Sequence, residues 1–546
     1  VIVNGRVAVG LASILAMVPG SATGQSPAQK SGITAAELTA RLRFFSSDLF
    51  EGRQPGTRGE SLTTSYLISE LESFGVQPGA GQSGWLQAVS ILTHQPQPAA
   101  PVEAGLTGRV TRALEHGREI RVSNHAAAGT VAVDGELVFV GYGIDAPLYR
   151  WNDFAGLDLR GKIAVALLGE PNLPDDSIAF NGFRASRYSW ARDKIDEMDR
   201  RGAVGVLWVV GSGPLARGPV TGARRLAERA NRSGVRFTGN LTDSAAASLL
   251  RPAQGSWGEL KAAAGRPGFR PVPLDLSLSV RFQTVPHTVR TSNVVGVIPG
   301  TDRARRDEHI VLSAHWDAYG IGTPVRGDSI YNGALDDGSG VTALLALARV
   351  FAAQPEPRSL TFLFTTAEEW GLLGAEAFVC SGLLPPDRIV ANLNIDDGTE
   401  LFGPKRDVAP LGIELSTLGS VVAKVAAGRG LRVAPDPFPQ EGFFLRADNY
   451  PFAKAGIPAL YLALGTDAVD QPTGWTDAKV KDYLERHYHR PSDDFETVVL
   501  DIEGSRQLAD FTHELTTSLA RAPGRPEWLP SSEFRRRVGG ASSAGC

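Results

Sequence analysis

Cysteine and methionine are scarce in this 546-residue chain, which has two of each. Cys380 and Cys546 leave no room for a framework of several disulfides, and Cys546, in a Ser/Gly/Ala tail, reads as unpaired. A chain of this size needs no such staples, because it can bury cores of its own. An excess of one charge is lacking too: 55 Lys and Arg against 59 Asp and Glu leave a formal net charge of −4. That balance gives no long-range attraction for nucleic acid or an acidic membrane surface. Long hydrophobic runs are also missing. The apolar run from Val7 to Val18, behind Arg6 and ahead of Pro19 and small residues, falls short of the ~20 residues that span a bilayer. Its layout is that of a secretory signal over residues 1–24, cleaved after Ala22 or Gly24. A short buried helix or an uncleaved anchor is the competing reading. With no other run apolar enough to cross a membrane, the expectation is an exported protein, periplasmic or extracellular.

Hydrophobic residues at 42% and charged residues at 21% are ordinary for a globular protein, and the length suits roughly three compact units. Residues 32–100 open with helix-like spacing in ELTARLRFF and SLTTSYLISELESFG, around the Gly-rich loop SSDLFEGRQPGTRGE. The Pro/Ala-rich stretch THQPQPAAPVEAG then marks a boundary. Residues 106–279 carry short apolar runs such as GKIAVALLGE and AVGVLWVVGS, separated by a helix with Trp190, Ile195 and Met198 on one face. That pattern predicts a small inserted α/β unit with its own core. It lacks any cluster of His or paired acids with catalytic spacing, so scaffold or substrate shield is its plain reading. In residues 289–521, strand runs (VVGVIPG, HIVLSAHWD, SLTFLFTTAEE, RIVANLNIDD, IPALYLAL) alternate with helical ones, predicting an α/β fold with a mostly parallel sheet flanked by helices. Residues 522–546 read as a solvated tail.

Several of those strand runs end in His or acids, at the sheet edge where open α/β folds bind ligands. His315 in SAHWD is a candidate ligand, with Asp317 accepting its other N–H. Asp336 in GALDDGSG can bridge two ions from a loop of small neighbours, while Asp337 or Ser339 caps the following helix. In TTAEEWG, one of Glu368 and Glu369 can bind metal while the other faces the water. Asp396 and His489 complete the set. Each taken alone has a bland alternative: an HxD pair is usually structural, an acidic pair usually a solvated helix start. The order His, Asp, Glu, Asp, His is what carries weight. It offers each of two ions one His, one carboxylate and a share of Asp336, a mixed N/O set suiting zinc, with cobalt or manganese as substitutes.

From about Asn293 to Phe495 the chain resembles the zinc exopeptidases typified by aminopeptidase Y, secreted bacterial leucine aminopeptidases and glutamate carboxypeptidase. The stretch around SSDLFEGR resembles their N-terminal portion, and the insert, with RDKIDEMDRRGAVGVL, is similar to a protease-associated domain. The resemblance implies two zinc ions per chain, one on His315 and Asp396, the other on Glu369 and His489, with Asp336 bridging. It implies Glu368 as general base, Asp317 as partner of His315 and Tyr488 as an oxyanion stabiliser. The family's Arg-Ser-Asp-His motif stands here as Arg446-Ala447-Asp448-Asn449, so Arg446 is the substrate contact carried over, though Ser and His do not match. The expected activity is hydrolysis of N-terminal residues from peptides. A carboxypeptidase or dipeptidase on the same centre needs a cation for the substrate's carboxylate, and Arg326 and Arg446 are both available. A one-zinc glutaminyl cyclase and a non-catalytic receptor-like protein are the remaining alternatives.

Overall fold

The computed structural model describes residues 31–97, 101–171, 180, 185–211, 215, 220–249, 255–396 and 398–535. The signal expected at 1–24 and residues 536–546 of the tail, Cys546 included, lie outside these residues; the described part of the tail, 522–535, is not the solvated end expected, because Trp528 and Phe534 are buried in an apolar cluster.

Four short strands, buried except at His309, form one end of the large sheet: Ala459–Leu462, Ile389–Ile395, His309–His315 and Ser359–Thr365, in that spatial order and all parallel. Their near-continuous apolar runs suit strands covered on both faces. The helix Gly340–Ala353, GVTALLALARVFAA, is buried almost all round and lies in the main core with Glu503–Arg521 and Leu418–Gly428. Ahead of them in the chain, Ala35–Phe45 starts at Thr34, whose hydroxyl accepts from Glu37 N at 3.1 Å. It packs with Arg58–Phe74 on the same face.

The 27-residue strand Val272–Ile298 runs through both halves of the molecule. Its C-terminal end pairs antiparallel with Ser359–Thr365, its middle with Leu86–Pro96, and its beginning with Thr130–Phe139 and Glu103–Gly108. The limits expected at 279 and 289 therefore fall inside one continuous strand. Pro286, which cannot donate to a ladder, sits in the stretch where Leu86–Pro96 is the neighbour on one side only.

On the far side of that strand, Thr130–Phe139, Ile163–Leu167, Gly205–Val210 and Phe237–Thr242 run parallel, with Ile120–Asn124 antiparallel at the end. Two apolar clusters separate from the main core fill this unit, one against each face of its sheet. The helix Ala191–Arg200 seals one of them with Met198 and also faces the catalytic side. There Asp193 pairs with Lys454 at 2.6 Å, and Asp196 with Arg229 at 2.8 Å.

Cys380, in the helix Leu373–Cys380, is disulfide-bonded. Among the described residues, no helix is long and apolar enough to cross a membrane.

Candidate metal centre

Parallel register brings the ligands to one level. His315 lies opposite Thr365, three residues before Glu368, and Ser313 lies opposite Asn394, two residues before Asp396. All three segments leave the sheet at its carboxyl edge, where ligands collect in open α/β sheets. Asp336 arrives from the loop before Gly340–Ala353, and the Asp336–Asp337 peptide is cis. His489 follows the helix Trp475–Arg486 with φ 58°.

Two triads result, and they share Asp336. His315, Asp336 and Asp396 form one; Asp336, Glu369 and His489 form the other, with ligand atoms of each triad within 4.8 Å of one another. His315 Nε2 is 3.0 Å from Asp336 Oδ1 and 3.9 Å from Asp396 Oδ1. His489 Nε2 is 3.2 Å from both Asp336 Oδ2 and Glu369 Oε2, yet makes a well-directed hydrogen bond with neither. Glu368 stays outside both triads, with Oε2 4.0 Å from His315 Nε2.

The electrostatics fit a cationic occupant. Burial lifts Glu368 and Asp396 well above the ordinary carboxylate range, and their acidic neighbours push the same way. Burial also raises Asp336, but its bond to His315 and the nearby imidazole of His489 outweigh this and hold it low. His489, lowered by burial, is carried up to about 9 by Asp336 and Glu369. Buried acids so close together repel unless protonated or bound to a cation. Imidazole and carboxylate donors in sets of three are the chemistry zinc takes.

The surrounding residues hold the ligands in place, and one of them departs from expectation. His315 Nδ1 faces the backbone carbonyl of Asp317 at 3.1 Å, not its carboxylate, which lies 3.8 Å away. The Asp317 carboxylate instead accepts from Glu368 N at 3.0 Å, so it positions the loop carrying the two glutamates. Asp337 accepts from His315 N at 3.0 Å and from Gly340 N at 2.9 Å, joining a ligand strand to the start of the helix.

Three supporting residues were not anticipated. Tyr319 OH bonds His489 Nδ1 at 2.9 Å, fixing that ring. Asp493 accepts from Leu335 N at 2.9 Å and Asp336 N at 3.2 Å, steadying the shared ligand's loop. Arg53 is fully buried, and its guanidinium donates to Trp316 O at 2.8 Å and Gly333 O at 2.8 Å, and to the carbonyls of Asn332 and Phe45. Its position in the SSDLFEGR loop was the available signal. Arg53→Met deletes those donors and leaves Asp493 without its nearby cation. The expected cost is roughly 3–5 kcal/mol of stability, read by urea unfolding. An unchanged midpoint would remove Arg53 from this role.

Beside the ligands lies a mostly apolar pocket, open to solvent, reached by Asp336, Glu368 and Asp396. Leu335, Phe438, Phe443 and Tyr461 are among its walls. Tyr488 and Arg446 also line it, Arg446 Nη2 donating to Tyr488 OH at 3.1 Å. Arg326 is exposed near the turn of the hairpin formed by Gly320–Val325 and Asp328–Tyr331, and does not line this cavity.

The segment that carries the centre has known counterparts. Residues 293–515 match the model of peptidase family M28. A vacuolar membrane protease of Kluyveromyces lactis is 40% identical over 72 residues, 13% of this chain and 7% of that protein. A probable zinc metalloprotease of Pyrenophora teres f. teres is 24% identical over 247 residues, 44% of this chain and 50% of that one. The chain thus spans half or less of the length of these curated relatives. Among solved structures, an aminopeptidase from Aneurinibacillus sp. strain AM-1 aligns over 92% of this chain and 98% of its own, with 20% identity and a TM-score of 0.49. A zinc aminopeptidase from Bacillus subtilis covers 89% and 96%, with 17% identity and a TM-score of 0.42. All five candidate ligands lie within the residues 293–515 that match the M28 family model.

Proposed function

We propose that this zinc metallopeptidase is an exported aminopeptidase that holds two zinc ions and removes N-terminal residues from peptides. The observation that carries the reading is the pair of triads sharing Asp336, with Glu368 beside them and free of both. His315 and Asp396 hold one ion, Glu369 and His489 the other. Zinc supplies the positive charge that makes a nearby water acidic at neutral pH and stabilises a developing oxyanion. Glu368 takes the proton from the attacking water and delivers it to the leaving amine nitrogen. Asp317 holds the backbone of Glu368 so that its carboxyl stays aimed at the site. Tyr488, on the cavity wall, has a hydroxyl to offer the oxyanion, and Arg446 keeps that hydroxyl oriented.

The carboxylates around the centre give a free α-ammonium group a favourable place, and the adjoining apolar cavity gives a place for the first side chain. Export is supported by the bonded Cys380, since disulfides persist in oxidising compartments.

The test compares leucine p-nitroanilide with its N-acetylated form, with and without a chelator. Cleavage of the free amine alone, lost on chelation, is the expected result. Preference for N-blocked peptides with free C-termini would replace the aminopeptidase reading with a carboxypeptidase one.

A further inference from the structure

A second cleft opens between the inserted unit and the loop that carries Glu369. Trp370 and Gly371 form its catalytic-side wall; the other wall holds His125, Arg192, Arg224 and Arg225. The two walls are clamped together. Arg192 donates to the Gly371 carbonyl and lies 3.4 Å from Glu376, and Arg229 bridges Glu376 and Asp196. The inserted unit is therefore a fixed wall here, tied by several charge-assisted contacts.

Arg192 and Arg229 spend their charge on this clamp, but Arg224 and Arg225 do not. Arg224 lies with its guanidinium carbon 4.4 Å from the ring centroid of Trp370. Among the described residues it makes no hydrogen bond and no ion pair. It is open to solvent, although the surrounding wall desolvates it enough to lower its pKa, an effect the Tyr319 phenol partly offsets. Arg225 gives one N–H to the His125 carbonyl at 2.5 Å and has no carboxylate partner among the described residues. His125 is buried, with Nδ1 unpartnered among those residues, and its surroundings keep it neutral. Arg224, stacked on the residue next to a metal ligand and without an ion pair among the described residues, thus faces an open cleft, with Arg225 beside it under the influence of Asp196 and Asp199.

We propose that this cleft is a carboxylate-binding subsite, in which Arg224, backed by Arg225, receives a carboxylate from the leaving-amine part of a short peptide substrate. The inference rests on the peptidase reading above and deepens it. The apolar cavity beside Glu368 takes the residue being removed. The arginine cleft, walled by Trp370 next to Glu369, takes the residues C-terminal to the cleaved bond. A planar guanidinium already held on an aromatic face is pre-organised for such a group. The carboxylate has two sources, the C-terminus of a di- or tripeptide or an acidic side chain one or two residues past the cleaved bond.

The test uses the zinc-loaded full chain. Leu-Gly-Gly is compared with its C-terminal amide, and Leu-Gly-Glu-amide with Leu-Gly-Gln-amide; leucine p-nitroanilide reports peptidase activity itself. The expected result is a preference of about tenfold or more in kcat/KM for the carboxylate member of at least one pair, expressed mainly in KM. Which pair shows it identifies the source. In Arg224→Gln the ratio falls to near one, and Arg224→Lys restores part of it. Matched thermal melts show that each variant is folded. Ratios near one for both pairs in the unaltered chain, or a ratio that survives in Arg224→Gln, overturn the subsite while leaving the peptidase reading intact. No cleavage of any of these substrates overturns both.

Discussion

Replacing Glu368 with Gln is expected to lower kcat by about 10²–10⁴-fold, the usual worth of a positioned general base, with KM and zinc content little changed. Each part of that outcome has its own structural reason. Gln has the shape of Glu but cannot take a proton, so the loss falls on the chemical step. Zinc content is preserved because Glu368 belongs to neither triad. The loop does not shift, since it is pinned through its backbone: Glu368 N donates to Asp317, and the Glu368 carbonyl accepts from Gly371 N at 2.7 Å and Leu372 N at 2.9 Å. Steady-state kinetics with zinc analysis on the same preparation checks all three. A Gln variant that keeps full activity would move the base elsewhere in the site. A variant that loses zinc would mean Glu368 is a ligand.

Asp336→Ala is expected to be the most damaging single change in the centre, because both triads lose the same member. For the unaltered chain, zinc at about a thousand times its dissociation constant adds about 4 kcal/mol to stability, a rise of roughly 10 °C in melting temperature for a domain of this size. In the Ala variant that rise shrinks to near zero and activity disappears. The metal-free chain should also show a revealing pH dependence. Glu368 and Asp396 have folded pKa values raised above their unfolded ones, by burial first and then by acidic neighbours. The folded state therefore binds more protons than the unfolded state over that range, and stability falls as pH rises. His489, raised to about 9 by Asp336 and Glu369, acts in the same direction, its contribution lost as pH climbs through 9. Zinc binding needs these groups deprotonated and runs the other way. Melts from pH 5 to 9 should thus show stability falling without zinc and the increment due to zinc growing. Parallel curves with and without zinc would contradict this.

The five candidate ligands were legible because each sits just past a strand or at a loop with its own signature, and the fold places such ends together. GVTALLALARVFAA and the strand runs were legible for a similar reason, their period and burial agreeing. What the sequence hid is long-range and directed at the backbone. Arg53 acts through carbonyls up to 280 positions away, and nothing about those carbonyls depends on side-chain identity. Asp493 and Tyr319 likewise meet their partners only once the chain is folded. Asp317 was recognised as a supporting residue, but the partner of its carboxylate depends on a local turn that periodicity does not encode. The limits expected at 279 and 289 split Val272–Ile298, whose length lets it serve both units and whose Pro286 is tolerated where the strand has a free side. The inserted unit's part in the site was invisible for another reason. Arg224 has no motif around it, and its meaning comes from lying over Trp370.

Anomalous diffraction at the zinc edge, on crystals of the zinc-loaded chain, addresses the two-ion arrangement most directly. The expected map has two peaks about 3.5–4 Å apart, one on each side of the Asp336 carboxylate. A single peak, or two that do not both contact Asp336, would contradict it.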